Sequence, residues 1–464
     1  MENFFGHKKC VNYKKGGAAM KKTKILKLMS ILLAAVFLLG LAGCAADKPA
    51  STQPEPAKDS KVTIKFFSNL PDRTSGQGKL EQLLIDNYLK ENQNVTIEIE
   101  ALQDEPYKQK FKAYASGNQL PDLFMVWGQP SFFNPVMEAG YAAELNPSDF
   151  ADYQFFNGAL DGFSLNGKLY GLPRNTDYMV LYYNKALFEQ NGVKVPETFE
   201  DIITAAKTFR AKGIAPIAMN GKDKWAISLM YQDLVIKEGG DQKLIYDAIN
   251  GKVKFAENPV LKKAAEDLKA LMDVKGYQDS FVAADYGAAN NLFAQEKSAM
   301  YYMGAWEVGM DSNPNFSDSF KKNVDVVKFP APGTGVGKAT DLLAWNGGGY
   351  AVSANSPVKD EAIKLLKYMM KPDNWAKNGW QLGLVVPGQK YDSYLTGRET
   401  NLQKKLTDIL SSTTSISGTS WNDSVSPDFK TSSESLSQEL AAGMLTPEKF
   451  LEEMDKAVAD AQAK

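Results

Sequence analysis

Apolar and polar residues alternate through "KVTIKFFS" (61–68), a period of two that predicts a strand. After a polar loop, Leu80, Leu83, Leu84 and Tyr88 recur at helical spacing and lay one apolar stripe along a helix. "NVTIEIEAL" alternates again, and "LPDLFMVW" is a continuous apolar run of the kind a buried parallel strand shows. This β-α-β-α-β series predicts a doubly wound half of an α/β protein. Farther along, "PETFEDIITAAKTFRAKG" opens with Thr198 and Asp201 in capping-box spacing and repeats Ile202, Ile203, Ala206 and Phe209 at helical period. "NPVLKKAAEDLKALMDVKGY" and "SPVKDEAIKLLKYMMKPDNW" are similar amphipathic helices, and "GIAPIAM", "KSAMYYMG", "VDVVKFPA" and "GGGYAVS" read as strands between them. Residues 61–464 exceed what one core usually supports, so two lobes are expected.

The loop between the first strand and first helix, "SNLPDRTSGQG", sits where a phosphate could bind, because helix N-termini attract anions. Its spacing excludes a nucleotide P-loop: Arg73 stands where the first glycine belongs, and Leu80 follows Lys79 where a hydroxyl is needed. There is no dinucleotide fingerprint either. The loop instead offers short polar groups, among them Asn69, Asp72 and Arg73, suited to a ligand rich in hydroxyls or to tying a turn.

From Met20 the chain reads "MKKTKILKLMSILLAAVFLLGLAGC", a basic start, an uncharged run from Leu28 to Gly43, and small residues before Cys44. The run is shorter than the roughly 20 residues of a membrane span and has the form of a secretory signal. Leu41 to Cys44, "LAGC", resembles the lipobox of bacterial lipoproteins, which implies cleavage before Cys44 and acylation of its sulfur, a two-chain anchor. Residues 1–19 fit no part of such a signal, and Met20 is the expected start; Lys14-Lys15-Gly16-Gly17 is what a purine-rich ribosome-binding site gives when read as codons. Residues 1–43 are thus leader and signal, and 44–60, rich in Pro, Ala and Ser, a flexible tether.

This processing changes the chemistry available. The single histidine, His7, and Cys10 both fall in the leader, so the chain from Cys44 has no histidine and no second cysteine. That excludes Ser-His-Asp and Cys-His nucleophile systems, imidazole or thiolate metal sites and internal disulfides. The whole chain carries a formal charge of −2, and removing a leader with eight lysines and one glutamate makes the remainder more acidic. A mildly acidic surface without basic clusters argues against nucleic acid as a partner. No cofactor and no metal site is expected.

Five segments in order carry a resemblance: "SGNQLPDLFMVW" (116–127), "GKLYGLPRNTDYMVLYYNKALFEQNG" (167–192), "PETFEDI" (196–202), "FAQEKSAMYYMGAW" (293–306) and "WNGGGYAVSANSPVKDEAIKLLKYM" (345–369). Together they resemble the extracellular solute-binding proteins of carbohydrate ABC importers, the family 1 group that includes maltose-binding protein. The resemblance implies two discontinuous α/β lobes joined by hinge strands, with the ligand in the cleft between them. It places 61–174 plus 331–387 in the first lobe and 175–330 plus 388–464 in the second. It implies a non-enzymatic, monomeric receptor delivering sugar to the transmembrane subunits of an ABC permease, and an acylated Cys44 with a flexible tether implies a place on the outer face of the cytoplasmic membrane, in a Gram-positive cell. A surface glycoside hydrolase is the competing class, needing two carboxylates about 5–10 Å apart; a structural or sugar-sensing lipoprotein without transport is another.

Sugars present apolar C–H faces and a rim of hydroxyls, so aromatic platforms and short polar side chains are the expected lining. In the resemblance Trp306 of "MGAWEVG" matches the family's stacking tryptophan, and Trp225 lies on the other cleft loop. Asp177 stands where a carboxylate often accepts from sugar hydroxyls, with Tyr178 beside it; a hinge hydrogen bond is the alternative for Asp177. Asn69, Asp72 and Arg73 come from the first loop. Gln129 replaces a carboxylate of maltose-binding protein, which argues against maltose. Trp345, Asn346, Gly347 and Gly348 form "WNGGG", either a close backbone approach to ligand or a strand-entry bend, and Trp421 is a third platform. Asp122 of "LPDLF" is assigned to capping a turn.

Overall fold

The structure is a computed structural model describing residues 61–463 apart from Gln242 and Val425. Met20, the lipobox, Cys44 and the tether therefore lie outside the described residues. The first elements are β1 (Val62–Ser68), α1 (Gly76–Glu91), β2 (Val95–Ala101), α2 (Asp104–Ser116), β3 (Leu123–Trp127) and α3 (Pro130–Glu138), the expected alternating series. β1 runs parallel to β2 from Val62↔Val95 to Ser68↔Ala101, and to β3 at Phe66↔Leu123. Two later strands, Gly348–Val352 and Gly171–Pro173, extend this sheet antiparallel beyond β3. Asp122, just before β3, accepts from the Lys65 N–H of β1 at 2.8 Å and the Ser356 hydroxyl at 2.6 Å.

A second sheet is built around the long strand Thr176–Asn184, which lies antiparallel between Val324–Val327 and Ser298–Gly304; Ala215–Ala218 adds in parallel on the far side. Helices cover it. Trp225–Gly239 is buried on nearly every side, which explains why its sequence shows no polar face. The capping box predicted at Thr198 and Asp201 forms and starts the helix Phe199–Ala211. The two sheets have separate hydrophobic cores, one gathering Phe66, Phe67, Tyr107, Phe124 and Trp375, the other Tyr182, Ile202, Met230, Tyr301 and Phe450. The architecture is therefore α/β with two lobes. Among the described residues no helix is long and apolar enough to cross a membrane.

Three chain segments pass between the cores side by side. The Gly347 N–H donates to Asn175 O at 3.2 Å, the Thr176 N–H to Val386 O at 3.2 Å, and the Gly388 N–H to Arg174 O at 3.3 Å. These bonds locate the crossings near 175, 347 and 387. The expected boundary at 331 is corrected by this: Ala344–Asn346 pairs antiparallel with Thr176–Asn184, setting Trp345 opposite Asp177, so the chain stays with the second sheet until Gly347. Leu342 and Leu343 accordingly pack in the second core. Trp380 belongs to that core too, whereas Leu384 and Val385 return to the first.

Candidate functional site

Seven tryptophans occur in the chain. Trp375, Trp380 and Trp421 are fully buried core residues; of the other four, Trp225 lies buried at the margin of the second core and Trp127, Trp306 and Trp345 are partly buried. These four converge. Trp225 and Trp306 have ring centroids 6.0 Å apart at 59°, and Trp306 and Trp345 are again 6.0 Å apart at 63°, so three indoles form a row along the second lobe and the hinge. Trp127, at the carboxyl end of β3, lies under the Lys108 ammonium at 5.1 Å. Lys108 pairs with Asp104 at 3.0 Å, and Asp104 Oδ2 accepts from Trp225 Nε1 at 2.7 Å. Both lobes thus meet at one aromatic cluster. Trp345 Nε1 is a buried donor without an intramolecular partner, the kind of group that costs stability unless something accepts its hydrogen bond.

Carboxylates surround the row. Burial pushes Glu307 up to about 7 against hydrogen bonds from the Tyr286 hydroxyl and Asn290 amide. Burial, reinforced by the neighbouring Asp104, pushes Asp223 up to about 6, although it accepts from the Tyr286 N–H at 2.7 Å and Asn220 Nδ2 at 3.1 Å. Asp177 is likewise pushed up to about 7 by burial, opposed by the Arg174 charge and by Asn175 Nδ2, which donates to it. For Lys108, burial opposes the charge, yet Asp104 and Glu105 hold the ammonium well above its ordinary value. Stacking surfaces beside acceptors and one cation can hold a polyhydroxylated ring by its face and rim. Among the described residues no group of three His, Cys, Asp or Glu could hold a metal ion.

The first loop is arranged differently. Asp72 is exposed and accepts from the Thr74 N–H at 2.8 Å, the Thr74 hydroxyl at 2.7 Å and the Ser75 hydroxyl, tying the entry to α1. Burial would raise this carboxyl, but the Ser75 and Thr74 donors lower it below its ordinary value. Arg73 pairs with Glu81, a fully buried carboxylate that also accepts from the Ser68 hydroxyl at 2.7 Å and the Tyr350 hydroxyl at 2.6 Å. Asn69 Oδ1 accepts from Arg174 at 3.0 Å. The loop's polar groups are thus spent mainly on its own turn and on a buried network reaching the hinge.

Two expected contacts are corrected. Tyr178 is fully buried and donates its hydroxyl to Leu406 O at 2.8 Å, because it lies on the inner face of the central strand. Trp421 is fully buried among Tyr231, Phe255 and Phe429, a core packing residue and not a platform. Other expected residues have structural partners. Gln129 is buried at the start of α3, where its carbonyl accepts from Phe132 N–H at 2.9 Å and Phe133 N–H at 2.8 Å. Asn346 donates to Gly158 O at 2.6 Å. Gly347 makes room for the hinge: a Cβ there would stand 2.1 Å from Asp177 Oδ2. One at Gly348 would meet Met125 Cε at 2.5 Å. Both glycines serve close crossing of strands at the hinge.

Sequence reasoning missed Asp104, Lys108, Trp127 and Asp223. Trp127 was findable, since ligand loops of open α/β sheets follow the carboxyl ends of parallel strands. Asp104 and Lys108 look like an ordinary i,i+4 surface pair, and nothing local marks them.

The chain matches the model of the bacterial extracellular solute-binding proteins over residues 84–391. It is 25% identical to a multiple sugar-binding protein of Streptococcus mutans, over 72% of this chain and 77% of that one. With the melibiose/raffinose/stachyose-binding protein of Bacillus subtilis it shares 26% identity, covering 75% of this chain and 78% of that one. A solved structure from work on xylan utilization by the thermophilic bacterium Caldanaerobius polysaccharolyticus superposes with a TM-score of 0.77 at 31% identity, over 85% of this chain and 99% of that one. The matched segment includes much of both cores, the hinge crossings at 175, 347 and 387, and Trp127, Trp225, Trp306 and Trp345. This chain belongs to the family of bacterial extracellular solute-binding proteins.

Proposed function

We propose that the protein is a lipid-anchored receptor that captures an oligosaccharide between its two lobes and delivers it to an ABC permease. The observation that carries this reading is the row Trp225–Trp306–Trp345, bordered by carboxylates and joined through Asp104 and Lys108 to Trp127 of the other lobe. Indole faces suit the apolar faces of pyranose rings, and carboxylate oxygens suit their hydroxyls. The sugar-binding names of the two sequence relatives support the ligand class, and they describe receptors, not enzymes. The 31% identical structure comes from work on xylan utilization, which makes fragments of xylan the first candidates. Trp225, Trp306 and Trp345 are the ligand platforms of this reading, Asp177 is a hinge residue bordering them, and Asn69, Asp72 and Arg73 support the first-lobe wall. No covalent step is assigned, and the receptor acts as a monomer.

Isothermal titration with xylo-, malto-, galacto- and arabino-oligosaccharides tests the ligand class. Binding of one series with micromolar or tighter affinity is expected, and the absence of binding by all four at millimolar concentration would sink the carbohydrate assignment. Attachment is tested separately. Cys44→Ser should release the protein from the membrane or leave the precursor uncut, and retention at the mature size would refute lipidation of Cys44.

A further inference from the structure

Trp225 is one of the three indoles in the row, yet its N–H is turned to a residue of the other lobe, Asp104, at 2.7 Å. Asp104 is the first residue of α2 and packs with the first sheet; Trp225 opens a helix of the second core. The carboxylate is fixed from behind by Lys108, which holds its other oxygen at 3.0 Å and stands over Trp127. Both ends of the bridge sit on unusual backbone. Asp104 has φ +36°, and Lys224, immediately before Trp225, has φ +66°. Non-glycine residues rarely adopt this region, and such conformations persist only where surrounding structure enforces them. Two enforced turns thus aim a donor and an acceptor at each other between separately cored bodies.

We propose that Asp104 is a positioning residue for Trp225: it orients the indole across the lobe boundary, so that the stacking row is completed only when the lobes meet. The bridge also holds the lobes together before any sugar arrives. Ser131 Oγ, donating to Asn422 O at 2.7 Å, and Asn315 Nδ2, donating to Thr74 Oγ1 at 3.3 Å, link the same two bodies elsewhere but touch no tryptophan of the row. The Asp104 bond ties contact between the lobes directly to a ring of the row.

This inference rests on the sugar-receptor reading, but its test uses ligand-free protein, so a failure of every sugar to bind leaves it measurable. Asp104→Gly removes the carboxylate while tolerating positive φ, Asp104→Asn keeps an acceptor oxygen, and Trp225→Phe keeps a ring but no donor. The indole resonance of Trp225, identified by its loss in Trp225→Phe, is expected downfield in the wild type and shifted upfield in Asp104→Gly, with Asp104→Asn between them. Small-angle scattering is expected to show a larger radius of gyration for Asp104→Gly and Trp225→Phe, with the double variant no larger than either. An indole resonance that ignores Asp104→Gly, or radii that match the wild type in both single variants, overturns the proposal.

Discussion

The loop from Ser68 to Ser75 and the row Trp225–Trp306–Trp345 both lie in segments expected to touch a ligand, and they are built in opposite ways. In the loop, Asp72, Thr74, Ser75, Arg73 and Asn69 bond mainly to one another or to the buried Glu81 and Arg174, although Arg73 Nη2 is left without a partner. Along the row Trp306 and Trp345 remain partly accessible while Trp225 is buried, and Trp345 Nε1, like Trp380 and Trp421 Nε1 in the cores, has no intramolecular partner. Short polar side chains in a loop readily bond the adjacent backbone. An indole has one donor and a large apolar face, and local backbone cannot satisfy both. Polar residues in a turn are therefore weak pointers to a site, and indoles set in a row at a lobe boundary are stronger ones.

The largest effects separate core from row. Trp421→Ala should cost about 3–5 kcal/mol of folding stability, the range for truncating a buried aromatic, seen as a lowered denaturant midpoint. Trp306→Ala should leave unbound stability near normal and weaken sugar binding by about 1–3 kcal/mol, the scale of lost aromatic burial. If Trp306→Ala lost stability like Trp421→Ala while keeping its affinity, the contrast would collapse and Trp306 would join the core. A smaller effect tests the loop. Asp72→Ala removes the group tying the entry to α1 and should cost about 1 kcal/mol of stability, as helix-start caps do, with intrinsic sugar affinity unchanged. A loss of affinity exceeding the loss of stability would return the loop to the ligand-contact class.

The smallest expected effect is a pH dependence to which carboxylates around the row contribute, alongside Glu238 and Asp423, which burial also raises. Burial holds Glu307 and Asp177 near 7 and Asp223 near 6, above their unfolded values, so the folded chain binds more protons than the unfolded one between those limits. Their contribution is fully present below the ordinary carboxylate range and is lost as pH rises through 6 to 7. The melting temperature should therefore fall between pH 5 and pH 8, and Glu307→Gln should shrink that fall. An unchanged pH profile in Glu307→Gln would show that Glu307 is not one of the titrating groups.

Much of the molecule was legible from pattern alone. The alternation at 62–68 and 95–101 and the apolar run at 123–127 became β1, β2 and β3, and Thr198 with Asp201 formed the capping box. Such signals are local: side-chain period and cap chemistry need only a few neighbouring residues. The resemblance carried by five ordered segments reached the family and the two-lobe fold. Among candidate residues, Trp306 and Trp225 lie in the aromatic row, whereas Trp421 and Tyr178 do not, although all four are aromatic side chains with at least one polar neighbour in the chain.

What the sequence by itself determined was which segments are strands and helices, that chemistry requiring histidine is absent after Cys44, and that tryptophans are scarce enough to matter. Tertiary structure alone decided which tryptophans the two cores absorb, where the chain crosses at Gly347, and that Asp104 meets Trp225. The physical reason is range. A helix cap or strand period is settled within a few residues, but a ring's burial and a donor's acceptor depend on which distant surface folds against it, here 121 positions away in the chain.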